Sequence, residues 1–348
     1  MPTKPSLDFI PRDIHETEFQ EILDEYSSVL EELVNFASHV AKWCSEKIHG
    51  GEELAPIMLS FRHIIELIDA ISVLVKYACI EPCKILLRAV FESVLNVNYI
   101  LEKDTEKRGI AFMTCCWHQA INNLRKLNPK DSMHKQFLAK KRKDKFSRNV
   151  PLPKIPDVKE RIKVLEDHLA SPEYIESERK FQRLKSIIKR KRKESPKKTL
   201  SWHLIFRWIK NIIEKKTRET PKKRLNWYSM YQGPANLEAL ANYLELPIQY
   251  DVFYREWSGL AHGTNIIINN IEVVDKNRSV ISQIRLPEDA YDITYTALNY
   301  GLEIIPKYIE MFVPEKAEVA KAWYSDEIVP LKNTVLKKNR IIVKSPEH

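Results

Sequence analysis

Lys84-Ile85-Leu86-Leu87-Arg88-Ala89-Val90-Phe91-Glu92-Ser93-Val94-Leu95-Asn96-Val97-Asn98-Tyr99-Ile100 is the stretch that decides the fold class. Its apolar residues run almost all the way round a helix, while Arg88, Glu92, Asn96 and Tyr99 recur at three- and four-residue intervals and form one stripe. A helix of that kind is buried on most of its surface and carries one line of polar groups. Glu81-Pro82 just before it suits a helix start, since proline at the first positions loses no intrahelical hydrogen bond.

The same period extends on both sides. Phe19, Ile22, Leu23, Tyr26, Val29, Leu30, Leu33, Val34 and Phe36 predict a helix over 16–48, ended by Gly50-Gly51. A second runs over 53–79, with Arg62, Glu66 and Asp69 as its polar stripe and His63 beside it. A fourth spans 104–127 and stops at Asn128-Pro129. Further on, 157–169, 172–193 and 200–215 read as helices, with 140–145 and 150–156 as loops. Residues 234–246, 249–262 and 289–312 read as helices too. Between the last two, 265–274 and 279–285, rich in Ile and Val, predict a β-hairpin turning at Asp275–Arg278. The expectation is a mainly α fold: a helical bundle with a small β-hairpin and a basic helical insertion. The parts are an N-terminal bundle half (14–127), the insertion (128–225), a C-terminal half (226–313) and a peripheral tail (314–348).

Composition excludes some functions. Seven glycines in 348 residues, with neither a G-x-G-x-x-G nor a G-x-x-x-x-G-K-[ST] pattern, disfavour phosphate loops of those kinds. The five cysteines, 44, 79, 83, 115 and 116, are expected as free thiols and not as a metal site. No apolar run reaches the roughly 18–20 residues of a membrane span, and 1–11 has no signal-peptide core. A cytoplasmic protein without membrane contact is expected, and no metal or other cofactor is implied.

Charge is uneven. Residues 139–224 hold 29 Lys/Arg against 11 Asp/Glu, a balance of +18 in a chain of net +9. The run Lys189-Arg190-Lys191-Arg192-Lys193 is its densest part and is the expected contact for nucleic acid. Trp202, Phe206, Trp208, Trp227, Tyr228 and Tyr231 follow; they stack bases or, more often, fill a core.

One segment points to chemistry: Tyr254-Arg255-Glu256-Trp257-Ser258-Gly259-Leu260-Ala261-His262-Gly263. At about 100° per residue, Arg255 and His262 lie within about 20° of each other, two turns apart, with Ser258 and Gly259 between them. That face offers a fixed cation for phosphate and an imidazole that titrates near neutrality. The plainer alternative is a capping histidine and an ion-paired arginine. Likewise, Arg88 and Glu92 are either a bracing i, i+4 pair or groups that orient His262. A metal held by His262, Glu92 and Glu66 is a third arrangement.

The segment resembles the R-x(4–6)-H motif of the HEPN superfamily of helical domains. The wider pattern is similar to an uncharacterised prokaryotic family with an early R-x-x-x-E helix, here Arg88 and Glu92. That family also has a later tyrosine-bearing helix with S-x-x-x-H, here Ser258 and His262, approached by Leu240-Ala241, Tyr250 and Tyr254. The resemblance covers about 55–125 and 226–312. It implies a metal-independent endoribonuclease of toxin or phage-defence type, dimeric, with RNA as substrate and a protein antitoxin as a further partner. Arg255 and His262 would be catalytic, Ser258, Tyr254, Arg88 and Glu92 supporting, and the product a 2′,3′-cyclic phosphate. The sequence departs from the pattern at Glu256, where a neutral polar residue is common. An acid there repels phosphate, so a non-catalytic module binding nucleic acid or a protein partner is the alternative.

Overall fold

The structure, a computed structural model, describes residues 10, 19–47, 51–194, 225–263, 270–275 and 278–337. Its helices, in chain order, are α1 (Gln20–Lys47), α2 (Ala55–Lys76), α3 (Ile80–Glu102), α4 (Thr105–Leu127), α5 (Ser132–Lys143), α6 (Val158–Leu169) and α7 (Ile175–Glu194). After them come α8 (Leu237–Tyr243), a π-helical segment Gln249–Tyr254 that runs directly into α9 (Arg255–Ala261), α10 (Ala290–Phe312), α11 (Ala317–Trp323) and α12 (Val329–Lys337). Between α9 and α10 lie β1 (Ile271–Asp275) and β2 (Arg278–Ile281), an antiparallel pair with Ile271 opposite Ile281. The fold is mainly α, as the sequence predicts. The expected helix over 200–215, with Trp202, Phe206 and Trp208, and the first half of the expected hairpin strand, 265–269, lie outside the described residues.

The chain divides into two compact units: Met1–Lys103 with Ala241–His348, and Asp104–Leu240. The borders therefore fall at 103/104 and 240/241, not at 127/128 and 225/226. The reason is the apolar face of α4. Ile110, Met113 and Ile121 pack with Ile162 and Leu169 of α6 and with the fully buried Tyr174, so α4 shares a core with the basic segment. A buried Thr114–Ser177 hydroxyl pair at 2.8 Å ties α4 to α7.

The first unit is a bundle of α1, α2, α3 and α10. Leu23, Tyr26, Leu30, Leu33, Ala37 and Val40 form the buried stripe of α1. α3 is buried at Leu87, Val90, Phe91, Val94, Leu95 and Val97, on more than one face, because α2, α9 and α10 all pack against it. α2 ends in a Schellman closure, Cys79 N–H to the Leu74 carbonyl at 2.8 Å, with Ala78 left-handed at φ 53°. Glycine is usual there; the Ala78 methyl is fully buried, so packing offsets the strain.

Two further expectations change. Lys140–Lys143 belong to α5 and not to a loop: the Asp131 side chain accepts from Met133 N–H at 2.8 Å, and four cations in the last turn suit the negative helix end. The stretch after 314 is not peripheral as far as it is described. Ile328 and Val335 are buried, Trp323 stacks on Phe36 of α1 at 4.0 Å, and its indole N–H donates to Glu32. No helix among the described residues is long and apolar enough to cross a membrane.

Candidate functional site

α3 presents Arg88 and Glu92 one turn apart, 3.2 Å from Nη2 to Oε1. The π-helical segment brings Tyr254 onto this pair. Its hydroxyl accepts from Arg88 Nη2 at 3.1 Å and donates to Glu92 Oε1 at 2.9 Å, and the guanidinium carbon lies 4.9 Å from the ring centroid. Burial, the largest cause, pushes the Tyr254 phenol up to about 12, with Arg88 opposing and Glu92 adding to the rise. Tyr254 is therefore a neutral phenol at physiological pH, able to position but not to act as a base. Phe91 packs at 6.0 Å from the Tyr254 ring, and Phe253 stacks on the buried Trp257 at 5.2 Å. Together these contacts clamp the start of α9 on α3.

α9 then projects its other side outward. Arg255 is exposed and pairs with Asp251 at 3.1 Å, with its guanidinium 5.5 Å from the Tyr250 ring centroid. His262 caps α9; its backbone N–H donates to the Ser258 carbonyl at 3.1 Å, and its side chain is exposed. Gly263, at φ 71°, takes the left-handed conformation that ends the helix.

The sequence-derived site is thus brought together in two groups. Arg88, Glu92 and Tyr254 meet. Arg255, Ser258 and His262 share α9. Arg88 and Glu92 hold Tyr254 and, among the described residues, do not hydrogen-bond His262, so the expected orientation of His262 by these groups is replaced by positioning of the whole helix through Tyr254. The acid beside Arg255 is Asp251, not Glu256. Glu256 instead lines a cavity of about 240 Å³ with Lys84, Glu81 and Asp289. Asp251 was readable from its i, i+4 spacing to Arg255. Glu66 is engaged by Arg62 at 3.0 Å. In the other unit, Lys189 and Arg190 are exposed on α7; the side chains of Lys191, Arg192 and Lys193 lie outside the described residues.

A family model described as a family of unknown function, DUF5677, matches residues 54–279. The chain belongs to the DUF5677 family. No curated protein and no solved structure matches it. The DUF5677 match begins just before α2 and ends in β2, so it contains the Arg88–Glu92–Tyr254 cluster, α9 and all of the second unit. α1 and α10, which complete the first bundle, lie outside it.

Replacing Tyr254 by Phe removes the hydroxyl but leaves Arg88 and Glu92 paired. The expected loss is about 1 kcal/mol of unfolding free energy, the net worth of an ordinary hydrogen bond at a half-exposed site. Urea titration of wild type and variant measures it; no change in midpoint would mean that the clamp is held by ring packing alone.

Proposed function

We propose that this protein is a metal-independent endoribonuclease of the HEPN kind, acting as a dimer in a toxin or phage-defence role, with Arg255 and His262 as its reactive pair. The observation that carries the reading is the orientation of α9. Trp257, about 200° from Arg255 round the helix, is buried, while Arg255 and His262 are both exposed. A cation and an imidazole two turns apart are thereby open to a polyanion.

In the proposed reaction an imidazole takes the proton of an RNA 2′-hydroxyl, and that oxygen attacks the adjacent phosphorus. The P–O5′ bond breaks, and the 5′-oxygen leaves with a proton from the His262 imidazole of a second copy. The products are a 2′,3′-cyclic phosphate and a 5′-hydroxyl. Arg255 neutralises the phosphorane. To do so it gives up Asp251, an exposed pair worth at most about 1 kcal/mol, for a charge-assisted fork on phosphate that is stronger. The Arg88–Glu92–Tyr254 cluster supports this by fixing the base of α9. Lys189, Arg190 and the three cations after them are proposed to grip the RNA backbone.

A non-catalytic module that binds nucleic acid or a protein partner is the second reading, favoured by the Asp251 carboxylate next to Arg255. The two separate when total cellular RNA is incubated in EDTA with wild type, His262→Ala and Arg255→Ala. The enzyme reading expects cleavage to cyclic-phosphate ends, reduced about 10²–10⁴-fold by either substitution. Intact RNA with wild type, or equal cleavage by wild type and variants, sinks it.

A further inference from the structure

In the second unit, two cavities open between α4 and α7 and share His118, Asn122 and Lys185. The smaller, about 440 Å³, balances its charges: Arg125 and Lys185 stand with Glu166 and Glu178, and Arg125 bonds Glu166 directly. The larger, about 750 Å³, has Lys126, Lys185 and Lys189 on its wall and, among the described residues, no carboxylate. Glu178, on the wall of the smaller cavity, is held by two side chains. Glu178 Oε2 meets His118 Nε2 at 2.6 Å, and its Oε1 accepts from Gln182 at 2.7 Å. Lys126 reaches only an amide oxygen, Asn123 Oδ1 at 2.9 Å, and Lys185 stands 5.6 Å from the Phe181 ring centroid. Among the described residues, none of the three ammonium groups forms an ion pair.

The rest of the wall has a different chemistry. Phe181, Ile188 and Leu225 give it an apolar side. His118 lies flat on Phe181, centroids 4.0 Å apart and planes 7° apart, so Glu178 and Phe181 fix the imidazole from two directions. Gln119, Asn122 and Asn123, at three- and four-residue spacing on α4, supply amides that both donate and accept. An apolar surface, a row of amides and a cluster of cations, in a half-open cavity whose volume lies within the usual range for small-molecule sites, are the three parts that a nucleotide engages. The apolar side takes the base, the amides its polar edge and the lysines its phosphate. A bare phosphate would leave the apolar side and most of the volume unused.

We propose that this cavity between α4 and α7 is a nucleotide-binding site, separate from α9 and independent of any reaction there. The nucleotide is either free or one unit of a single-stranded RNA.

The test titrates the full chain, by calorimetry at low salt, with nucleoside monophosphates, nucleosides, inorganic phosphate and a short single-stranded oligoribonucleotide. The comparison is the Lys185→Glu variant; the side chain is exposed, so its thermal midpoint is expected to match wild type. The expected result is saturable binding of the monophosphate or the oligonucleotide. That binding weakens at least about tenfold in the variant, and nucleoside or phosphate alone binds at least about tenfold more weakly. Binding of the oligonucleotide without the free monophosphate identifies the strand as the source. Absence of both at millimolar concentration, equal binding by the variant, or phosphate binding as tightly as the nucleotide overturns the proposal.

Discussion

Replacing Tyr308 by Ala is expected to lower the unfolding free energy by about 3–5 kcal/mol, the range for removing a buried aromatic ring. Tyr308 is fully buried on α10 and joins three helices at once. Its ring stacks on Phe61 of α2 at 4.1 Å, and its hydroxyl donates to the Ile57 carbonyl of α2 at 2.5 Å. Its own carbonyl lies 3.9 Å from the Cys44 sulfur of α1. Removing the ring leaves a void lined by rigid helices that cannot close on it. Tyr308→Phe keeps the ring and removes the hydrogen bond, so about 1–3 kcal/mol is expected from the carbonyl left without that donor. Guanidinium unfolding of the three proteins separates the two contributions. A Tyr308→Ala loss below about 1 kcal/mol would mean that the bundle re-packs at this point.

Replacing Lys84 by Met should cost about 2–3 kcal/mol, somewhat less than breaking a fully buried pair, because its partners are partly solvated. The Lys84 side chain is 10% exposed; its ammonium contacts Glu81 at 2.5 Å and Asp289 at 2.7 Å, whose side chains are 38% and 50% exposed. Met preserves the packed stem and removes the charge between two carboxylates. The pH dependence is a separate check. Burial lowers the Lys84 pKa, but hydrogen bonds and attraction from Asp289 and Glu81 outweigh it, and the net shift is upward from 10.5. A cation with a raised pKa stabilises fully below its unfolded value and loses that contribution as the pH rises through the folded one. The difference between wild type and Lys84→Met is therefore flat from neutrality to about pH 10 and shrinks above 10.5. A difference that grew with alkalinity would contradict the assignment.

The apolar period was enough to read α1, α2, α3 and α10, because helices that bury a continuous stripe display it in every turn. The tail was misread for a related reason. Among its described residues only Ile328 and Val335 are buried, two turns apart, and a π-helical stretch, Tyr324–Ile328, precedes α12, so the apolar stripe is too short to stand out. The partner of α4 was not legible: Ile110, Met113 and Ile121 state that α4 has an apolar face, not which helices cover it. At α9, the shared face of Arg255, Ser258 and His262 followed from spacing alone. The contact from Tyr254 to Arg88 and Glu92 spans more than 160 residues and is purely tertiary. Local pattern could name its members but not join them. The cavity between α4 and α7 was hidden in the same way, since its lysines come from two helices in a segment where cations are everywhere.

The first bundle is assembled from two stretches that flank the second unit. α3 ends at Glu102, and α10, which covers it and α1, begins at Ala290. During synthesis roughly 190 further residues must emerge before that cover arrives, about 10–40 s at 5–20 residues per second. For that time the nascent α1–α3 hairpins carry a naked oily flank. Their yield in a cell then depends on how well ribosome-associated holdases shield it.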